Sequence, residues 1–248
     1  PQADVLILEP RGGLDILLAL EAGAQRVTAV EVNALVVEAA GPSYTDPRVR
    51  TVAESDRSYL RRSREAYDVI VLSLVSSYHP VRSGAYSLAE DYRYTVEAFD
   101  DALARLGPEG LLVVTRWLQT PPSEELRAFA LAVTAVERAG RSPTDSLIAF
   151  RGYNTATLLV KASRFTPEEV EAVRTFAAER AFDLIYAPGI RADEVNRYNI
   201  LPEDTYYQTF AGLLSAPPRE RAQWYAAYDY DVTPPTDDRP FFGHFFKW

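Results

Sequence analysis

Two acids and a pair of glycines stand where a nucleoside could be held. Gly12 and Gly13 close a short turn, Glu9-Pro10-Arg11-Gly12-Gly13, that links an apolar run to a helix carrying Asp15 in its first turn. Glu31, followed by Val32, lies about 20 residues beyond that turn, the spacing at which an acid grips ribose hydroxyls with its two acceptor oxygens. Asp56, further on, suits a hydrogen bond from an adenine amino group, with neighbouring backbone N–H groups reading the ring. Each acid has a plainer reading: Glu31 as a surface acid, Asp56 as a helix N-cap. Turns of this kind carry glycine at alternate positions, because the backbone must approach a ligand or take positive φ. Counted back from the helix start, those positions fall at Glu9, Arg11 and Gly13, and only the last is glycine. Glu9 and Arg11 therefore bind the ligand themselves, point away from it, or mark a domain that kept its fold and lost its site.

A second group of residues suits the partner of such a nucleoside. The apolar run Tyr67 to Leu74 includes Ser73 and leads into Val75-Ser76-Ser77-Tyr78-His79-Pro80. Tyr78 and His79 are placed to bind or deprotonate a nucleophile, since histidine titrates near neutrality; the alternative for His79 is a loop residue with no catalytic role. Tyr86, Glu90, Asp91, Tyr92 and Tyr94 form an acidic, aromatic stretch. Carboxylates and ring faces suit a cationic substrate, and a solvated loop leading into a helix is the competing reading.

The elements that must position these residues alternate between strand and helix. Strands are predicted at Asp4–Leu8, Val27–Asn33, Val49–Ala53, Tyr67–Leu74 and Leu111–Trp117, with helices near 14–22, 34–40, 58–63, 92–105 and, capped by Ser123, up to Arg138. The fourth strand is almost continuously apolar, as expected of a parallel strand covered on both faces. Gly107-Pro108-Glu109-Gly110 reads as the stop of the preceding helix. Ser146–Arg151 and Thr155–Ala162 flank Gly152-Tyr153-Asn154 and read as a hairpin that gives the sheet an antiparallel edge. From Phe165 the character shifts. Thr166-Pro167-Glu168-Glu169 opens a helix with a cap, an early proline and acids on the positive end of the dipole. A Tyr-, Pro- and Asp-rich remainder follows, with short helices near 206–214 and 218–228. Residues 1–163 are read as a doubly wound, mostly parallel Rossmann-like α/β domain and 164–248 as a small α/β annex. The terminal hairpin resembles the adenosylmethionine-dependent methyltransferase class.

Composition narrows the field. The 248 residues hold 47% hydrophobic side chains, enough for a packed core, and a net charge of −9, which argues against a sequence-independent nucleic-acid binder. With no cysteine and two histidines, there is no disulfide, no thiolate nucleophile and no metal site rich in histidine or cysteine. The chain starts at Pro1, directly before a core strand, and contains no methionine, so it reads as an excised segment of a longer protein. It has no signal peptide.

Val5-Leu6-Ile7-Leu8, Glu31-Val32-Asn33, Asp46-Pro47-Arg48-Val49, Tyr67-Asp68-Val69-Ile70 and Tyr86-Ser87-Leu88 through Phe99 resemble the spermidine synthase family of aminopropyltransferases. The resemblance covers residues 4 to 120. It extends over nearly the whole chain for the spermidine synthase-like domains of multi-spanning membrane proteins, which are similar through Arg116-Trp117, Ala156-Thr157-Leu158-Leu159-Val160 and the closing Thr236-Asp237-Asp238-Arg239-Pro240-Phe241-Phe242. It implies a donor of the S-adenosylmethionine type, methyl-bearing or decarboxylated, with Glu31 on the ribose and Asp56 on the adenine. It further implies an amine acceptor, no metal, polyamine chemistry, a homodimer and a cytoplasmic domain attached to a membrane-embedded parent. The chain departs from the family in the loop after the fourth strand, where positions 73 to 77 carry no carboxylate. The aromatic closing run, Phe241 to Trp248 with Lys247, suits either a membrane–water interface or ordinary core packing. Asp237 and Asp238 ahead of Arg239 read as a structural turn with an ion pair. Alkyl transfer, aminopropyl or methyl, is the leading reading. A non-catalytic domain sensing a nucleoside or polyamine is the second, and an NAD(P)-dependent oxidoreductase the third.

Overall fold

The computed structural model describes residues 2–74 and 89–247. Their backbone is organised by one eight-stranded sheet in the order β3-β2-β1-β4-β5-β7-β6-β8. The strands are β1 (Asp4–Leu8), β2 (Arg26–Val30), β3 (Val49–Val52), β4 (Tyr67–Leu72), β5 (Leu106–Trp117), β6 (Leu147–Arg151), β7 (Thr155–Lys161) and β8 (Asp183–Tyr186). β1 to β5 run parallel, while β7 is antiparallel to both β5 and β6, and β8 to β6. The β6–β7 hairpin is thus as the sequence predicts, but the free edge of the sheet is β8. The direction of the chain turns outward at β1 and β4, which places a crevice outside their carboxyl ends, the usual ligand position in open α/β sheets.

Local chemistry explains the boundaries. Helix α1 (Leu14–Glu21) follows Gly13. Helix α2 (Ala34–Ala40) is capped by Asn33, and α3 (Asp56–Arg62) by Ser55. Thr95 caps α4 (Val96–Leu103), which begins four residues later than the predicted start near residue 92. The expected cap at the start of α7 (Pro167–Glu179) is a full capping box between Thr166 and Glu169. Residues 107–110 do not merely end a helix. They lie within β5, whose register against β4 slips between Tyr67 and Val69. A Cβ on Gly110 would stand 2.9 Å from the Tyr67 carbonyl oxygen, so only glycine permits that approach.

The long helix α5 (Glu124–Arg138) is nearly all buried and supplies Leu126, Phe129 and Val133 to the core beside α4. Ser123 stands at its N-cap position without making a side-chain cap bond. A one-turn helix, α6 (Pro143–Ser146), leads into β6. Beyond residue 164 the chain adds β8 to the sheet and α8 (Thr205–Ser215) to the core, with Phe210 against Phe129 at 4.6 Å between ring centroids. Helix α9 (Arg221–Ala227) follows. Phe242 and Phe245 of the closing run are buried and Phe246 is exposed, so the core-packing reading holds for the first two rings. No described helix is long and apolar enough to cross a membrane.

Candidate functional site

The turn after β1 keeps a shape its residues do not advertise. Glu9, Arg11 and Gly13 have φ of 49°, 50° and 80°, so all three alternate positions adopt the left-handed conformation that glycine favours. A non-glycine residue there costs on the order of 1–2 kcal/mol and persists only where its surroundings over-determine it. The surroundings do so here. The Glu9 N–H donates to the Val30 carbonyl (2.9 Å), the Gly13 N–H to that of Pro10 (2.8 Å), and the Tyr44 hydroxyl to that of Arg11 (2.8 Å). Gly13 is fixed by packing as well, since a Cβ there would meet the Ser43 hydroxyl at 2.1 Å. Gly12 has open space around it.

The side chain of Glu9 is drawn sideways. Its Oε2 accepts from Arg93 Nη1 at 2.6 Å and from Arg11 Nη2 at 3.1 Å. Arg93 also grips Asp91 through two parallel bonds of 2.8 Å. Burial lowers the Arg93 pKa, but the bonds and charge of Asp91, with Tyr94 and Glu9 behind them, outweigh burial and raise it. Arg93 is the functional-site residue the sequence reading missed. Its partner Glu9 is distant in the chain, and no local pattern signals the pairing.

Glu31 and Asp56 stand at the carboxyl ends of β2 and β3 and are both buried. Oε1 of Glu31 accepts from the Asn33 N–H at 2.9 Å, while Oε2 is buried with no partner among the described residues. Neither oxygen of Asp56 has a partner there. Asp56 is the first residue of α3, and Ser55 does the capping, so its carboxyl is not used on the helix end. Burial first, then the charges of Glu9, Glu31 and Asp91, raise the Asp56 pKa to about 8, with Arg93 opposing. Tyr44, desolvated and beside Glu31, is raised to about 12. Ser73 ends the array after β4, its hydroxyl buried and without a partner among the described residues. Polar groups in native proteins are rarely left in this condition. Three of them, Glu31, Asp56 and Ser73, follow the carboxyl ends of β2, β3 and β4 with buried polar atoms that no described residue pairs.

The remaining expectations divide. Asp15 lies half-buried in the first turn of α1, and Val32 is exposed beside Glu31. Asp91 is tied to Arg93, and Glu90 is exposed. Tyr94 does not face a ligand: it is fully buried, stacked on Phe242 at 4.4 Å, and accepts from Arg116 at 2.7 Å. Tyr78 and His79 lie outside the described residues. In the first turn of α5, Glu125 is buried. Its pKa is pushed well up by desolvation and the charge of Glu124, which the nearby N–H groups of Ser123 and Gln119 offset only in part. Among the described residues no group of three or more acids or histidines is arranged to hold a metal.

No protein-family profile and no curated sequence matches the chain. Solved structures do. Spermidine synthase from Thermotoga maritima superposes with a TM-score of 0.56 at 18% identity, over 86% of this chain and 70% of that one. A spermidine synthase in complex with the transition-state analogue AdoDATO gives 0.54 at 18% identity, over 86% and 69%. Human methyltransferase-like protein 13 in complex with SAH gives 0.52 at 14%, over 73% and 82%. At such identities the likeness is one of fold: the chain has a spermidine synthase-like fold of the adenosylmethionine-dependent methyltransferase type.

Proposed function

We propose that the chain binds an adenosyl-sulfonium donor along the carboxyl ends of β1 to β4 and transfers its alkyl group, aminopropyl or methyl, to an amine-type acceptor. One observation carries this reading: Glu31 and Asp56 are buried at the ends of β2 and β3 with oxygens that nothing in the described chain satisfies. These are the positions and the chemistry a ribose and an adenine require. The retained left-handed turn at Glu9, Arg11 and Gly13 supports it further. Strain of that kind concentrates at ligand sites.

Such a donor supplies a carbon already activated by a positively charged sulfur leaving group. The protein is left to align the partners and accept a proton. In this reading Glu31 holds the ribose hydroxyls through Oε2 and Asp56 the adenine edge. Val32, Gly12 and Asp15 line the approach, and Ser73 sits under the sulfur end. The acids of the pocket favour a cationic donor. The acceptor side falls to Glu90, Asp91, Tyr78 and His79. Attachment of the domain to a membrane-embedded parent, and pairing as a homodimer, belong to the same proposal and rest on the sequence resemblance.

A second reading is a non-catalytic domain that senses an adenosyl compound or polyamine. It is favoured by Asp91, which gives both carboxylate oxygens to Arg93 and so is poorly free to act as a base.

Calorimetric titration with S-adenosylmethionine, its decarboxylated form and methylthioadenosine tests the binding half. Micromolar affinity for one of them is expected, and Glu31→Ala should weaken it about 100-fold, the value of two charge-assisted hydrogen bonds. No heat from a folded sample with any of the three overturns the adenosyl site. Single-turnover release of methylthioadenosine or S-adenosylhomocysteine in the presence of amines separates the transferase from the sensor.

A further inference from the structure

The closing segment that the sequence singles out, Thr236 to Phe242, is not a free-standing turn. Arg239 does close a turn on Thr236, its N–H donating to that carbonyl at 2.9 Å. Asp237, however, pairs with Arg57, at 3.0 Å from Nη1 to Oδ1 and 2.9 Å from Nη2 to Oδ2, and with Arg61 Nη2 at 3.2 Å. The Thr95 hydroxyl donates to Asp237 Oδ1 at 2.7 Å, and the Asp237 N–H donates to Glu97 at 2.9 Å. Asp237 therefore joins the first turn of α3 to the first turn of α4. Burial works against its charge, but the bonds from Thr95 and Arg57 more than offset this and hold its pKa below the usual range.

The rest of the segment fastens residues 91–96, at the entry to α4. The Asp91 N–H donates to the Pro240 carbonyl at 2.7 Å and the Val96 N–H to that of Pro235 at 2.9 Å. Phe242 stacks on Tyr94, and the Arg116 guanidinium lies over both rings, 4.4 Å and 5.1 Å from their centroids. Arg127 then holds the carbonyls of Phe241, Phe242 and His244 at 3.1, 2.7 and 2.6 Å. The loop so fastened is the one that carries Asp91 and Arg93 to Glu9.

Arg57 is the immediate neighbour of Asp56, and the two side chains line one small cavity with Arg93, Leu8, Leu60 and Leu72. The cation nearest in sequence to the orphan carboxyl is thus turned away from it. Arg57 gives both terminal nitrogens to Asp237, and its Nη2 also pairs with Asp101 at 3.1 Å; further bonds go to Thr95 (3.0 Å) and the Tyr92 carbonyl (3.2 Å). Asp56 is left facing Glu9, Glu31 and Asp91, with Arg93 as the opposing cation.

We propose that Asp237 is a positioning residue of the donor site: it sets the spacing between Asp56 and the Asp91–Arg93 loop and keeps Arg57 off Asp56. The inference rests on the adenosyl reading for its ligand, but its core concerns Asp56 and can be read without ligand. The test uses the whole chain with Asp237→Ala, and Arg57→Ala as the control. Two quantities are measured: affinity for methylthioadenosine by calorimetry, and the titration midpoint of the Asp56 carboxyl carbon by NMR in the unliganded protein.

Both variants are expected to weaken binding about tenfold, the usual coupling of a clamp to the groups it holds. Only Asp237→Ala should move the Asp56 midpoint down, because only there does Arg57 stay beside Asp56 with Asp101 as its one remaining carboxylate among the described residues. Arg57→Ala should leave that midpoint where it is or raise it. Affinity within twofold of the parent with an unmoved midpoint overturns the proposal. So does weakened binding with unmoved midpoints in both variants, which would show general loosening only. Should Asp237→Ala fail to fold by circular dichroism, Asp237→Asn, which keeps an acceptor for Thr95, takes its place with the same expected directions. Should the parent bind no adenosyl compound, the functional reading fails, while the NMR titration still decides the role of Asp237.

Discussion

Asp56 and Asp183 are buried to almost the same degree, 5% and 1% exposed, and both stand at the carboxyl edge of the sheet. Their surroundings are opposite. Asp183 opens β8 opposite Arg151, the last residue of β6. It accepts from the N–H groups of Arg197 (2.6 Å), Tyr198 (2.8 Å) and Asn199 (2.8 Å), and from the Asn199 amide (3.0 Å). Arg151 stands 3.3 Å away. Burial pushes the Asp183 pKa up, but those N–H groups and the guanidinium outweigh burial and bring it below the ordinary value. Asp56 has no such donor among the described residues, and burial takes it to about 8. One acid stitches a loop to the scaffold, and the other has no hydrogen bond from the described residues. Burial alone does not separate a structural carboxyl from a functional one; the accounting of its hydrogen bonds does.

The sharpest way to break this contrast is to neutralise each acid in turn. Asp183→Ala should destabilise the protein by about 4 kcal/mol, because it orphans three backbone N–H groups and strands the buried Arg151 charge. The check is urea unfolding: a lowered midpoint with an unchanged slope marks a loss of stability alone. The folded pKa of Asp183 lies below its unfolded value. Its contribution is therefore present above about pH 4 and lost as pH falls through the folded value. A loss under 1 kcal/mol at pH 7 would mean that the five contacts do not act together.

Asp56→Asn should have the opposite sign. The folded pKa of about 8 lies above the ordinary aspartate value of about 3.9, so the folded state binds the proton more tightly. The stability this gives is complete below about pH 4 and disappears as pH rises through 8. The variant should match the parent near pH 4 and exceed it by about 5 kcal/mol at pH 8.5, because ionising a carboxyl held at about 8 instead of about 3.9 costs the folded state that much. Unfolding midpoints across pH 4 to 9 check this. If both substitutions destabilise at pH 8.5, Asp56 is a scaffold acid like Asp183, and its place in the donor site falls with it.

The same contrast explains what the sequence makes legible. Elements set by local rules are plain: the apolar run of β4, the Thr166–Glu169 capping box, the β6–β7 hairpin around Gly152-Tyr153-Asn154. The positions of Glu31 and Asp56 are legible too, because each follows the end of a strand, β2 and β3. What escapes is set by contacts distant in the chain. Glu9 finds Arg93 and Arg57 finds Asp237 only once the sheet is built. Tyr94 reads as part of an aromatic lining until Phe242 and Arg116 are seen to cover it. The extent of β5 depends on Gly110 approaching Tyr67, which spacing within residues 107–110 does not reveal. The turn after β1 is the instructive case: by residue type it has lost two of three glycines, yet by backbone it has lost none of the three conformations.

That turn yields the smallest effect and a direct test of what its side chains are for. Arg11 is exposed, its φ is 50°, and its one ion pair, with Glu9, is at the surface on the arginine side. A surface pair of this sort contributes under about 1 kcal/mol, whereas relief of a left-handed non-glycine residue returns about 1 kcal/mol. Glycine also adds freedom to the unfolded chain, which offsets part of the gain. Arg11→Gly should therefore leave stability within about 1 kcal/mol of the parent. If the arginine side chain crowds the donor, the variant should bind methylthioadenosine more tightly. If Arg11 serves instead by holding Glu9 toward Arg93, the same variant should bind less tightly, and Glu9 rather than the backbone turn would be the element that the orphan acids of the site depend on.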